Sequence, residues 1–327
     1  MKRMVRISAI QAPAGFEGPS FAEKQRKNRG SIRSLLALAG QRRSDLVLLG
    51  EYANLHHRTW STNTKEYVPD PVPGPLTRMV GNLAKTYRMN VALPLFGTYR
   101  GELSSWVVLI DRRGRIAGCY QKAHPTVAEQ ESGIRGGGDL TVFQLDCARV
   151  GIMTCMDIEY PEVAQVLMLR GAEILLFPHV QGTWGEMDWE VRYRARAIDT
   201  GLNVVSACFG YAPGSWMPGK MIGRTSVIGR DGLILGDLGR EIGVLTMDLD
   251  LKAGRKTEFF FPARLERSLA VTASRRPELY RDLVDESIKR SALRRVRKLA
   301  RVGPGDRLSP QAVTPTNAST RKDHPHG

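Results

Sequence analysis

Short apolar runs rich in β-branched residues alternate along this chain with stretches whose apolar positions recur at helical spacing. The runs predict strands at Met4–Gln11, Asp45–Leu49, Asn90–Leu95, Trp106–Ile110, Ile116–Tyr120, Val142–Leu145, Arg149–Thr154, Glu173–Phe177, Asn203–Ala207, Thr225–Ile228 and Gly243–Asp248. Asp111-Arg112-Arg113-Gly114 and Arg230-Asp231-Gly232 are turn signals between neighbouring runs and predict hairpins. Helical stripes are carried by Ile32, Leu35 and Leu36, ended by Gly40, and by Leu76 to Tyr87. A third stripe, Val163, Val166 and Leu167, follows Pro161 and Glu162, which suit a first helical turn, and stops at Gly171. A fourth places Met187, Val191, Ala195 and Ile198 on one side. Hairpins mixed with strand–helix alternation predict a layered α/β domain with helices outside sheets.

The C-terminal end has a different texture. Pro277 to Leu299 predicts a helix with Arg290, Arg294, Arg297 and Lys298 on a basic face. From Val302 onward Gly, Pro, Ser, Thr and Asn dominate, and residues 302–327 are expected to be disordered. The expected organisation is a main domain over residues 1–286, a basic helix over 287–301 and a tail over 302–327. The net charge of +15 follows the same division, because residues 287–327 hold ten Lys/Arg against two acids. A nucleic-acid or acidic-surface binder is therefore the alternative from another class. That stretch lacks interleaved aromatics, so a solvated helix is the commoner explanation and nucleic acid is not the expected partner.

A content of 42% hydrophobic and 25% charged residues is ordinary for a soluble globular protein. No stretch approaches the ~20 apolar residues needed to cross a bilayer, and the start from Met1 to Ile7 reads as a first strand rather than a signal peptide. Cys119, Cys147, Cys155 and Cys208 show neither pairing nor metal spacing, so a reducing cytoplasm is expected, with no metal site.

Three of the strand candidates end on reactive side chains. Cys155 closes the run from Val150 to Thr154, Glu51 follows Leu46 to Leu49, and Lys122 follows Ile116 to Tyr120. Taken singly, such residues are most often a buried thiol, a solvated acid and a surface amine. Together a thiol, a carboxylate and an amine suit covalent chemistry on a carbonyl or nitrile carbon. The segments Leu48-Leu49-Gly50-Glu51-Tyr52, Tyr120-Gln121-Lys122-Ala123-His124-Pro125 and Gly151 to Glu162 resemble the three motifs of the nitrilase (carbon–nitrogen hydrolase) superfamily. Their order matches, as do the spacings of 71 residues from Glu51 to Lys122 and 33 from Lys122 to Cys155. The resemblance runs from about Arg6 to Asp282, with later blocks at Gly171 to Pro178, Ala195 to Asp199, Gly223 to Ser226 and Arg275 to Tyr280.

The resemblance implies a four-layer α-β-β-α sandwich that pairs sheet to sheet as a homodimer, often assembling further, and needs no cofactor. It makes Cys155 the nucleophile, Glu51 the general base, and Lys122 with the backbone N–H of Met156 the oxyanion stabilisers. Glu129 best matches the family's second glutamate, with Glu131 the less favoured register. Cys155-Met156-Asp157 is similar to the amidase and carbamoylase branches rather than to the Cys-Trp-Glu of nitrilases. The expected reaction is hydrolysis of a linear small-molecule amide with release of ammonia; the alternative is an N-carbamoyl amide hydrolase. Tyr52, Met156, His179, Trp184 and Trp189 are candidates for the substrate site, the two tryptophans suiting core or dimer packing equally well. Arg192 and Arg194 are the arginines considered for a substrate carboxylate. Gly50, Pro125 and Asp199-Thr200 depart from the family pattern without removing a catalytic atom.

Overall fold

The computed structural model describes residues 3–16, 18–54, 69–181, 186–211, 222–252 and 271–300. Two β-sheets form the centre. The first contains β1 (Met4–Pro13), β2 (Leu46–Leu48), β3 (Asp70–Val72), β4 (Asn90–Tyr99), β5 (Glu102–Ile110) and β6 (Ile116–Gln121). The second contains β7 (Val142–Gln144), β8 (Arg149–Ile152), β9 (Ile174–Pro178), β10 (Asn203–Ala207), β12 (Ser226–Ile228) and β13 (Ile234–Asp237). The short β11 (Phe209–Gly210) and the long β14 (Gly243–Asp250) return to the first sheet along β1. The order there is β11-β1-β2-β4-β5-β6, with β14 also on β1 and β3 also on β4; the second sheet runs β13-β12-β10-β9-β8-β7.

Period-two alternation assigns each strand residue to a layer. Leu46 and Leu48 of β2, Val107 and Leu109 of β5, Ile174 and Leu176 of β9, and Val205 of β10 share one core cluster, which fills the space between the sheets. The intervening residues Val47, Leu49, Val108, Leu175, Phe177 and Val204 belong to a second cluster beneath the helices. Helices α1 (Phe21–Gln41) and α2 (Pro75–Tyr87) supply Ile32, Leu36, Val80 and Ala84 to that cluster on the first sheet. On the second sheet α4 (Pro161–Leu169) and α5 (Arg194–Thr200) add Val163, Leu167 and Ala197. The result is a four-layer α-β-β-α sandwich. Strands buried on both faces explain why the central runs read as continuously apolar. Truncating a fully buried leucine such as Leu48 or Leu176 costs about 2–5 kcal/mol.

Several elements differ from the sequence expectations. The third strand, the β11 pair and β13 were not predicted; at two to four residues they are too short to show a pattern. The fourth helical stripe begins as a π-helical segment, Asp188–Tyr193, before α5. Pro277–Leu279 and Arg281–Val284 are 3-10 turns, and the basic helix is confined to Glu286–Ala300. The chain divides into compact units between Ser274 and Arg275. The expected tail, 302–327, lies outside the described residues. Among the described residues no helix is long and apolar enough to cross a membrane, and no cluster of His, Cys, Asp and Glu is suited to a metal ion.

Candidate active site

Glu51 lies three residues beyond β2, after the buried Leu49 and Gly50. A Cβ on that glycine, Gly50, would stand 3.1 Å from the Cys208 carbonyl oxygen, so the close approach of the two chains suits a residue without a side chain. The next residue, Tyr52, takes a left-handed φ of 55°, which turns the chain sharply. Asn54 then pins this turn to β4, accepting from Phe96 N at 2.9 Å and donating to Phe96 O at 2.8 Å. Both Glu51 and Tyr52 are buried at 1% exposure.

Lys122 follows β6 and is fixed through its backbone by bonds to Ser105 O (3.0 Å) and from Gly137 N (2.9 Å). Its ammonium donates to Glu51 Oε1 at 2.9 Å and to Glu129 Oε1 and Oε2 at 2.9 and 3.0 Å. Glu129 sits in the short helix α3 (Val127–Glu131), where it forms a reciprocal cap with Thr126. Thr126 N donates to Glu129 Oε2 at 2.5 Å, and the Tyr52 hydroxyl donates to Glu129 Oε1. Glu129 is buried whereas Glu131 is exposed.

Cys155 opens a 3-10 turn, Cys155–Glu159, with two residues between it and β8. Its φ of 46° is a left-handed conformation that costs a non-glycine residue about 1–3 kcal/mol and persists only where surrounding contacts impose it. The sulfur donates to Val180 O at 3.8 Å, just beyond β9, and lies close enough to Glu51 for the two groups to shift each other's protonation. Burial, and then the neighbouring Glu51 charge, push the thiol well above its ordinary range against the pull of Lys122. The resting sulfur is therefore a protonated thiol. Burial likewise raises Glu51 to about 7, countered by Lys122 and assisted by Glu129. Burial lowers Lys122, yet the Glu51 and Glu129 carboxylates beside it raise it on balance, so the ammonium stays charged. A base near neutrality, a thiol within its reach and a fixed cation beside both can form and stabilise an anionic adduct on an electrophilic carbon.

The remaining expected site residues have definite places. His179 is buried, stacked on Phe177 at 4.8 Å, and burial lowers it to about 3, so it is a neutral ring. The Tyr193 hydroxyl lies 3.3 Å from His179 Nε2 and donates to Gln181 Oε1. Met156 is half-buried in the first turn after Cys155, where backbone donors have no intrahelical partner. Trp189 is buried in the core, donating to Ser226 Oγ at 3.0 Å beneath the Arg224 guanidinium. Trp184 falls outside the described residues. Arg192 pairs with Glu159, and Arg194 with Glu190 and Gly232 O.

Sequence reasoning missed Asp157. It served there only as a branch marker, yet the carboxylate is fully buried and bonded to four donors. An acid embedded between Ile152, Met153 and Ile158 was the available signal, because buried carboxylates require partners.

A strained thiol at a strand end, facing a carboxylate–ammonium–carboxylate cluster on a four-layer sandwich, defines the nitrilase-superfamily class. The chain belongs to the carbon–nitrogen hydrolase family, whose profile matches residues 6–259. It is 26% identical to omega-amidase NIT2 of Danio rerio over 77% of this chain and 90% of that protein. The probable nitrilase C965.09 of Schizosaccharomyces pombe is 27% identical over 64% of this chain and 75% of its own length. Among solved structures, a carbon–nitrogen hydrolase from Helicobacter pylori G27 superimposes with a TM-score of 0.70 at 23% identity, covering 86% of this chain and 99% of that one. A glutamate-to-glutamine mutant of the amidase from Nesterenkonia sp. AN1, carrying the acetamide moiety of fluoroacetamide on its active-site cysteine, has a TM-score of 0.68 at 21% identity and coverage of 86% and 97%.

Proposed function

We propose that this protein is a thiol-dependent amidase acting on linear small-molecule amides. As substrate enters, Glu51 takes the Cys155 proton and the sulfur attacks the amide carbonyl carbon. The developing oxyanion is met by Lys122 Nζ and by the Met156 backbone N–H. Collapse expels ammonia, carrying the proton returned through Glu51, and leaves a Cys155 thioester. Glu51 then deprotonates water, which attacks the thioester, releases the carboxylate and restores the thiol. Glu129, held by Tyr52 and Thr126, keeps Lys122 in place through both halves.

The observation that carries this reading is the meeting of three strand ends. The Glu51 carboxylate accepts from Lys122 Nζ at 2.9 Å, and Glu51 and Cys155 are near enough to shift each other's protonation. The omega-amidase relatives and the cysteine adduct in the Nesterenkonia enzyme support amides as the substrate class. A carbamoyl amino acid would need an arginine for its carboxylate, and Arg192 and Arg194 are engaged with other partners, so the simple amide is preferred. A homodimer in a reducing cytoplasm completes the proposal.

The test is ammonia and carbon dioxide release from a panel of simple amides and N-carbamoyl amines, with Cys155→Ala as the blank. The proposal expects ammonia without carbon dioxide, and only from the intact thiol. Carbon dioxide in equal yield would transfer the assignment to the carbamoylases; turnover by Cys155→Ala would remove the mechanism.

A further inference from the structure

The two side chains that must meet in this site belong to different sheets. Lys122 follows β6 of the first sheet, whereas Cys155 follows β8 of the second. The backbone bonds of Lys122 to Ser105 and Gly137 locate it against its own sheet and the adjoining loop, and leave its distance to the sulfur unset. Asp157 spans that gap. Its Oδ2 accepts from the Tyr120 hydroxyl at 2.7 Å and from Thr154 N at 2.8 Å. Its Oδ1 accepts from His124 N and lies 2.9 Å from His124 Nδ1, which places the ring proton on that nitrogen. Tyr120 and His124 stand two residues before and two after Lys122, and Thr154 precedes Cys155. One carboxylate thus brackets the amine on both sides and grips the strained elbow at its entry.

Two further observations support this. The His124 ring stacks on Tyr160 at 3.9 Å, which fastens the Lys122 loop to the far end of the same 3-10 turn. Burial, then the Asp157 charge, keep the Tyr120 phenol well above its ordinary range, so it remains a donor at any working pH.

We propose that Asp157 is a positioning residue for amide hydrolysis, an inter-sheet clamp that sets the Lys122 ammonium against the Cys155 sulfur. This rests on the function proposed above. The role is specific to a group that only accepts. An amide at the same position would turn an NH2 toward either the Thr154 and Tyr120 donors or the His124 donors, and one side of the clamp would open.

The experiment compares Asp157→Asn with Tyr120→Phe, which removes one strut at nearly constant volume. Steady-state kinetics on a simple amide are measured with the rate of Cys155 carbamidomethylation by iodoacetamide across pH. A displacement near 1 Å in a catalytic pair lowers rate about 100-fold. Asp157→Asn is accordingly expected to lose roughly that factor in kcat at near-constant KM, with the pH dependence of alkylation displaced. Tyr120→Phe is expected to fold, with a melting temperature lowered by about 3–6 °C, and to lose kcat in the same direction by a smaller factor. Wild-type kcat in a folded Asp157→Asn overturns the proposal, as does a loss confined to KM. If Asp157→Asn does not fold, Tyr120→Phe decides: a kcat loss at constant KM supports the clamp, and wild-type kinetics with an unmoved alkylation profile overturn it. An inactive Cys155→Ala beside a wild-type-like Asp157→Asn refutes the clamp alone. An active Cys155→Ala refutes the underlying function.

Discussion

Replacing Lys122 with methionine keeps the length of the side chain and removes its charge, leaving the Glu51 and Glu129 carboxylates buried around an apolar group. Lys122, Glu51 and Glu129 are each 1% exposed, so solvent screening does not soften the loss. The ammonium makes charge-assisted bonds of 2.9, 2.9 and 3.0 Å. Removing one partner of a buried ion pair typically costs about 3–5 kcal/mol, because the other partner stays desolvated and uncompensated. In a unit running from Met1 to Ser274 that corresponds to a fall of about 5–9 °C in melting temperature. The loss has a pH signature. Glu51 is already raised to about 7 with Lys122 present, and removing the cation raises it further. A carboxyl whose folded pKa exceeds its unfolded value penalises the folded state in full above the folded pKa. The penalty disappears as pH falls toward the unfolded value of about 4.5. Thermal melts of Lys122→Met and wild type at a series of pH values should therefore converge on acidification. Adding Glu51→Gln to Lys122→Met should recover part of the loss at neutral pH. A melting temperature within about 2 °C of wild type at neutral pH, below the range expected, would refute the reasoning. So would a deficit independent of pH.

Two further outcomes follow from the same geometry. Because Glu51 must be ionised to take the thiol proton and sits at about 7, kcat/KM should climb tenfold per pH unit below that value and level above it. A flat acid limb would contradict Glu51 as the base. Tyr52→Phe removes the hydroxyl from Glu129 while keeping the ring against Phe96. With a hydrogen bond to a charged group worth about 1.5–3 kcal/mol, kcat should fall at least roughly tenfold; unchanged kinetics would show that Lys122 and Thr126 suffice to hold Glu129.

The layered fold was legible because short, continuously apolar runs such as Leu46 to Leu49 and Ile174 to Phe177 mark strands covered on both faces. Glu51, Lys122 and Cys155 were legible because each ends such a run, and the three motifs stand in one order. Glu129 could be favoured over Glu131, and in the structure Glu129 is the one that is buried and bonded to Lys122. The roles of Tyr52 and Asp157 were hidden for a different reason. Tyr52 reaches Glu129 only through a left-handed turn that nothing in its identity announces. Asp157 acts through a tyrosine and a histidine 37 and 33 residues away in sequence, a pairing set by the packing of two sheets. Trp189 read equally well as a pocket wall or as core, and burial placed it in the core.

The most direct measurement is peptide mass spectrometry of the enzyme quenched in acid during turnover of a simple amide. The account predicts an acyl mass on the peptide bearing Cys155 and on none bearing Cys119, Cys147 or Cys208, discharged by water when substrate is exhausted. Steady ammonia release with an unmodified Cys155 throughout, or an acyl group resident on another cysteine, would contradict it.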